Sequence, residues 1–321
     1  MKKIGIIALA CLSVAGLVSC EDFLTRDPKG SMDENRFFNS PDAAFKAVIK
    51  CYQTLNDFYG FERPRMDLYN ISTDDSEKGG SGAGDGIAAQ ELSYGRPLAS
   101  NEDLTNLWAT MYEGIAYCNT CIVKFPDAEL IDAEGYPVTD EQRNRYISEV
   151  KFLRAFYYFE LCKIFGGVPL ADRPLTVADS KNLVRATEAE TAEFIMKDLS
   201  DIADDNSLPS KKTLPANELG RVTREAVWAL QAKVYMYFAK DNSEYYVDGR
   251  DAAKRVIDSK AFILEPNFQD LFLADGYLSS ESIFVNIRGD VPSEYIYGSF
   301  LPCYSGPRCS GAYGFDQPTQ N

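Results

Sequence analysis

Apolar residues recur at intervals of three and four along most of the chain, which is the spacing of one face of a helix. The pattern predicts one helix soon after Ser40 and another near Asn101, where it runs through Leu104, Leu107, Trp108, Met111, Ile115, Cys118 and Ile122. Further helices are expected to begin where a threonine can cap the first turn: Thr139, Thr187 and Thr223. The chain is therefore predominantly helical.

Residues 152–170, FLRAFYYFELCKIFGGVPL, are apolar on nearly every side of a helix, so this segment should lie buried between other helices. Leu153, Ala155 and Tyr158 have the same spacing as Leu230, Ala232 and Tyr235. Alternating small and large residues at such positions is typical of tetratricopeptide-like helix pairs. The spacing between the two copies is not a clean repeat period, so any array is irregular.

Beyond Phe262 the helical pattern fades, and residues 283, 285 and 287 alternate as apolar positions, which predicts one short strand. The remainder is rich in Tyr, Gly and Pro. The fold class is therefore all-α in the main, an irregular tetratricopeptide-like helical scaffold with long loops and a little β structure.

The N-terminus has the pattern of an export signal. Lys2 and Lys3 precede an apolar run from Ile4 to Leu17 that is short for a membrane span. Leu17-Val18-Ser19-Cys20 resembles the bacterial lipobox, which implies cleavage before Cys20 and attachment of diacylglycerol to its sulfur, so that acyl chains such as palmitate anchor the protein. An ordinary signal peptide with a nearby cysteine is the alternative. Glu21 and Asp22 resemble the acidic export tag of some surface lipoproteins.

Composition excludes several classes of function. The net charge of −15 argues against nucleic acid as a partner, because phosphate binding requires a basic surface. The chain has no histidine, which removes Ser–His–Asp and Cys–His catalysis and most zinc sites. No cofactor or metal is expected.

The cysteines beyond Cys20 give no metal or redox motif. Cys118 and Cys121 have redox-pair spacing but lie inside a predicted helix, so with Cys162 they are interpreted as small buried residues. Cys303 and Cys309 flank a Gly-Pro loop, where a disulfide and two free thiols both remain open.

Residues 71–86, ISTDDSEKGGSGAGDG, form an acidic and then glycine-rich segment without a phosphate-loop or EF-hand pattern. A flexible surface loop is one interpretation, and a ligand or calcium loop built on Asp74 and Asp75 is the other.

As a set, the motifs resemble the SusD/RagB family of outer-membrane nutrient-binding lipoproteins. The resemblance is carried by the lipobox, by Trp108-x3-Tyr112-x2-Ile115-x3-Asn119-x2-Ile122, by residues 149–170, by GRVTREAVWALQAKVY (220–235) and by GFDQPTQN (314–321). It implies a leader at 1–19, a lipidated tether and loop at 20–39, an N-terminal helical region at 40–220 and the start of a second region at 221–321. Family members continue beyond the last motif, so this chain is expected to be an N-terminal portion.

The resemblance further implies a non-enzymatic, lipid-anchored outer-membrane protein that captures a glycan, or sometimes a peptide, and passes it to a SusC-like TonB-dependent transporter. A sugar site needs flat aromatic rings for apolar faces and acids for hydroxyls. The candidate ligand-binding residues are therefore aromatics outside the predicted helices: Tyr94, Tyr277, Tyr295, Tyr297, Tyr304 and Tyr313. The resemblance adds Asp74 and Asp75, because ligands of the family often touch this early loop region. A helical interaction scaffold without a small ligand and a carboxylate-pair glycosidase remain as alternatives.

Overall fold

The computed structural model describes residues 37–273, 276, 279–288 and 298–319. Its helices, in chain order, are α1 (Ala43–Gln53), α2 (Arg63–Met66), α3 (Ile87–Ser93), α4 (Glu102–Lys124), α5 (Asp140–Phe165), α6 (Val177–Asn182), α7 (Glu188–Ala203), α8 (Arg224–Phe238), α9 (Tyr245–Ser259) and α10 (Leu301–Ser305). Two three-residue strands, β1 (Ser76–Lys78) and β2 (Asp316–Pro318), pair antiparallel with Lys78 opposite Asp316. The helical fold class is confirmed.

The long helices pack against their neighbours in the chain, α4 on α5, α5 on α7, and α8 on both α7 and α9, while α1 covers α4 and α5. The predicted caps hold the starts of these helices. Thr139 accepts from the Gln142 backbone NH, and Thr223 accepts from that of Ala226. Thr187 and Glu190 form a complete capping box, with each side chain accepting from the other residue's backbone NH.

Helix α5 lies at the centre of the core, as its all-round apolar sequence predicted. Leu153, Tyr157 and Tyr158 on this helix are fully buried. The ring of Tyr157 packs where α4 presents Gly114, since a methyl group added at that glycine would come within 2.8 Å of the ring. The Tyr157 hydroxyl also donates to the Cys51 carbonyl at 2.7 Å, which ties α5 to the end of α1.

The core also holds charged side chains that the apolar pattern does not reveal. Arg154 on α5 donates from Nε and Nη2 to the two carboxylate oxygens of Asp198 on α7, each at 2.7 Å. Its Nη1 donates to Asn119 Oδ1 on α4, also at 2.7 Å. This bidentate network joins three helices through one guanidinium group.

The strand predicted at residues 283–287 is wrong. No strand among the described residues pairs with this segment, and its side chains pack on the helices instead: the Phe284 ring lies 5.1 Å from that of Phe152. Asn286 and Arg288 donate to the backbone carbonyl of Leu55, which holds the segment at the end of α1.

The cysteines of the described residues are free thiols. Cys51, Cys118, Cys121 and Cys162 are buried, and the Sγ atoms of Cys51 and Cys121 lie 3.9 Å apart. Burial raises the pKa of the Cys162 thiol to about 12, so it behaves as a small apolar residue. The Cys303–Cys309 disulfide is not formed.

Within the described part of the chain, no helix combines the length and the apolar character that crossing a bilayer requires. Cys20 and the whole predicted leader lie outside the described residues.

Candidate functional site

A cleft of about 540 Å³ opens where α2, α3 and the start of α4 meet the C-terminal segment that contains α10. It is bordered by Tyr59 and Phe58 from the turn before α2, by the glycine-rich loop before α3, and by the rings of Phe300, Tyr304, Tyr313 and Phe315. Its volume is within the range of sites for small ligands. This cleft is the candidate site.

Unusual local structure brings the turn before α2 into place. Residues Phe58–Glu62 and Asp67–Ile71 form wide π-helical turns on either side of α2. The Asp57 carboxylate accepts from the Gly60 backbone NH at 2.9 Å and so begins the first of these turns. Gly60 is required there, because a Cβ atom would come within 2.0 Å of Thr110 Oγ1 on α4.

The glycine-rich loop and the C-terminal segment build the opposite side together. Backbone NH groups of Gly79 and Gly80 donate to the carbonyls of Phe315 and Gly314 at 2.8 and 2.9 Å, beside the β1–β2 pair. Gly86 has φ +70°, and a side chain there would collide with the Phe315 ring. The glycines thus permit close packing over Phe315, so the loop has a structural role in the cleft.

The aromatic rings of the cleft differ in exposure. Tyr59 is 63% exposed and Tyr313 is 49% exposed, while Tyr304 is only 6% exposed and stacks on Phe315 with a centroid distance of 4.5 Å. Phe300 bridges the two sides, at 5.0 Å from Phe58 and 5.6 Å from Tyr313. Tyr59 and Tyr313 therefore offer open ring surface to a ligand.

A buried polar cluster forms the floor. The Tyr304 hydroxyl lies 3.1 and 3.0 Å from Asp67 Oδ1 and Oδ2. Arg63 donates to Asp103 Oδ1 and lies 4.0 Å from Asp67. Burial, followed by the charge of the nearby Asp103 carboxylate, raises the pKa of Asp67 to about 8, although the Tyr304 hydrogen bond and the Arg63 charge act in the opposite direction.

Acids outnumber bases around the rim. Asp85, Glu91 and Glu102 line the cleft above the floor, where Arg63 is the basic side chain among the lining residues described. Hydrogen bonds from the Ser81 backbone NH and hydroxyl hold the pKa of Asp85 below its usual range, so it is charged. This charge favours a neutral ligand with hydroxyl groups over an anionic one.

Of the residues selected from sequence, Tyr304 and Tyr313 meet in this cleft. Tyr94 is 68% exposed at the end of α3 and does not line it. Asp74 and Asp75 lie on the surface, where their backbone carbonyls accept from the hydroxyl and NH of Thr319 and so support the β1–β2 pair. Tyr277, Tyr295 and Tyr297 lie outside the described residues.

Sequence reasoning missed Tyr59 and Phe300. Tyr59 falls in FYGFERPRM, where the apolar spacing is almost helical. The useful signal was Gly60 together with Pro64, because these two residues interrupt a regular helix.

A larger cleft of about 1020 Å³ runs along α5 beside Phe152, Phe156 and Phe159. Its lining includes Arg288 and Ser299, and residues 289–297 between them lie outside the described residues, so this cleft is not taken as the candidate site. In the described ranges no group of three or more Cys, Asp or Glu side chains is arranged to hold a metal ion.

Comparison with known proteins decides the family. A family model described as "Starch-binding associating with outer membrane" matches residues 39–236, well over half of the chain. The chain belongs to the SusD-like family. The predicted family resemblance is confirmed, and with it the relation to proteins that associate with the outer membrane.

Individual relatives are distant. SusD-like protein P38 of Formosa agariphila is 28% identical over 85% of this chain and 50% of its own length. The starch-binding protein SusD of Bacteroides thetaiotaomicron is 27% identical over 54% of this chain and 30% of its own. The chain spans about half the length of the first curated relatives it matches.

Solved structures share the fold. Surface glycan-binding protein A of Bacteroides thetaiotaomicron, in complex with laminarihexaose, has a TM-score of 0.71 at 25% identity, covering 87% of this chain and 59% of that one. The Bacteroides fluxus protein of the same description also has a TM-score of 0.71, at 27% identity, covering 88% of this chain and 60% of that one.

Proposed function

We propose that this protein binds a neutral oligosaccharide or polysaccharide in the cleft between α2 and the C-terminal segment. The observation that carries the proposal is the pair of exposed tyrosines, Tyr59 and Tyr313, on the lining of one acidic cleft. Sugar rings present apolar faces that pack on such aromatic rings, and carboxylates accept hydrogen bonds from sugar hydroxyls.

The relatives support the same ligand class. One structural neighbour is described as glycan-binding and was solved with laminarihexaose, and a curated relative is named as starch-binding. The two names refer to different glucans, so we carry over the class of ligand and not one particular sugar. The acidic rim favours a neutral member of that class.

The floor of the cleft does not suit a glycosidase. Such enzymes hold two carboxyl groups about 5 Å or more apart, on opposite sides of a scissile bond. Asp67 and Asp103 are both 1% exposed and interact directly with each other and with Arg63. A sugar could not enter between them, so we propose binding without cleavage.

A panel of neutral oligosaccharides tests this proposal. The folded chain is titrated calorimetrically with α- and β-linked glucans, and each is compared with an acidic oligosaccharide of equal length. We expect at least one neutral glycan to bind and the acidic control to bind more weakly, because of the acidic rim. Chromatography after prolonged incubation should return the bound glycan at its original length.

Two results would contradict the proposal. Shortened products would indicate a glycosidase. A folded chain that binds no neutral glycan in the panel would favour the helical scaffold without a small ligand.

We further propose that Cys20 anchors the protein in the outer membrane by a lipid and that it delivers glycan to a SusC-like TonB-dependent transporter. The lipobox and the family's association with the outer membrane support this arrangement. Pull-down of a Cys20-bearing protein from membranes in mild detergent should co-purify a barrel, and a Cys20→Ala variant should not. If the membranes contain the barrel but it does not co-purify with the Cys20-bearing protein, the partnership is contradicted.

A further inference from the structure

The floor of the cleft contains more buried acidic groups than basic ones. Asp67 and Asp103 are each 1% exposed. Arg63 is the guanidinium group beside both: it donates to Asp103 and lies 4.0 Å from Asp67. The remaining neighbour in the cluster is the neutral Tyr304 hydroxyl. Two ionised carboxylates against one cation would leave a buried net negative charge, which is strongly unfavourable.

One oxygen of this cluster also lacks a partner. Asp103 Oδ2 is fully buried and accepts no hydrogen bond in the described structure, although Oδ1 accepts from Arg63. A buried carboxylate oxygen normally has a donor. The neighbouring Asp67 carboxyl interacts with Asp103 and could supply that donor only if it carried a proton.

We propose that Asp67 is protonated at neutral pH and donates this proton to Asp103, so that the two carboxyl groups share one proton beneath the cleft. Asp103 is the partner that stays charged, because it lies in the first turn of α4 and is paired with Arg63. One proton then neutralises the cluster and fills the empty acceptor position.

The direction of the pKa shift agrees with this assignment. Burial raises the pKa of Asp67 to about 8, with the Asp103 charge acting in the same direction. Burial likewise raises the pKa of Tyr304, so its hydroxyl keeps its proton and donates to Asp67. In alkaline solution Asp67 would release its proton to solvent, and a net negative charge would remain beside Arg63.

The shared proton makes the contact between α2 and the C-terminal segment sensitive to pH. Asp67 is the hydrogen-bond partner of Tyr304, whose ring stacks on Phe315 in the wall of the cleft. Since the folded state binds this proton more tightly than the unfolded state, the contribution of Asp67 to stability falls as the pH rises from about 4 to about 8. Any effect on glycan affinity rests on the proposed function, whereas the shared proton does not.

Infrared spectroscopy of the wild-type protein tests the proton directly and needs no variant. A carbonyl band of a protonated carboxylic acid should be present at neutral pH and should disappear with a midpoint near pH 8. Asp67→Asn should remove the band. Asp103→Asn should move the midpoint of the band to lower pH, because the adjacent charge that helps to retain the proton is gone while burial remains. A folded wild type without the band at neutral pH would overturn the proposal.

Urea unfolding from about pH 5 to about pH 9 provides an independent readout. The unfolding midpoint of the wild type should fall relative to that of Asp67→Asn as the pH rises to about 8, because the amide donates to Asp103 at every pH. Asp258→Asn changes an exposed acid, so its unfolding midpoint should depend on pH in the same way as that of the wild type. If the unfolding midpoints of the wild type and Asp67→Asn change in parallel with pH, the shared proton is contradicted. If the infrared band is present but no glycan binds, the shared proton stands and the proposed function is overturned.

Discussion

Replacing Arg154 by Met is expected to lower the free energy of unfolding by about 3–5 kcal/mol. Arg154 is the guanidinium group that joins α4, α5 and α7, with Asp198 as its bidentate partner. Its side chain is 7% exposed and that of Asp198 is 5% exposed, so the remaining carboxylate would be buried without a cation. Urea unfolding followed by circular dichroism measures the effect.

Two controls separate this effect from the loss of any ion pair. Arg173→Met removes the pair with Asp179, in which the arginine is 55% exposed, and should change stability little. The double variant Arg154→Met with Asp198→Leu should recover much of the loss, because it leaves no buried charge unpaired. If Arg154→Met were no more destabilising than Arg173→Met, the network would not be the buried bridge described here.

Replacing Tyr157 by Ala is expected to lower the free energy of unfolding by about 3–5 kcal/mol, because it leaves a cavity between α1, α4 and α5. The ring is fully buried and fits against Gly114. The neighbouring helices cannot close the cavity without moving the long elements that carry the fold. Denaturant unfolding at constant pH gives the free-energy change.

Tyr157→Phe is the matched control. It keeps the ring and removes the hydroxyl that donates to the Cys51 carbonyl, so it should cost about 1 kcal/mol. Equal losses for the two variants would mean that the hydrogen bond, and not the packing of the ring, dominates at this position.

The sequence predicted the parts of the fold that depend on local pattern. Residues 152–165 form the buried part of α5 because apolar residues occur on nearly every side of it, and Thr187 with Glu190 caps α7 because the two positions lie one turn apart. The charges inside α5 were not anticipated. From sequence alone an arginine such as Arg154 is expected at the surface, because its partners Asp198 and Asn119 lie on other helices.

The site depends on contacts that no local pattern contains. Tyr304 was expected to face a ligand, but its hydroxyl bonds to Asp67, 237 positions earlier in the chain, and this contact buries it. The strand expected at residues 283–287 fails for a similar reason, since alternation does not reveal whether a partner strand exists. Tyr313 lies outside the helices and lines the cleft, and its contact with a ligand stays a prediction.

Calorimetric titration of aromatic variants with the glycan that binds tightest tests the central claim, that the cleft between α2 and the C-terminal segment is the glycan site. We expect Tyr59→Ala and Tyr313→Ala each to weaken binding about tenfold, and the double variant about a hundredfold. The control Tyr136→Ala changes an exposed tyrosine away from the cleft, and this variant should bind as the wild type does. Unchanged affinity in a folded double variant would contradict the assignment of the site.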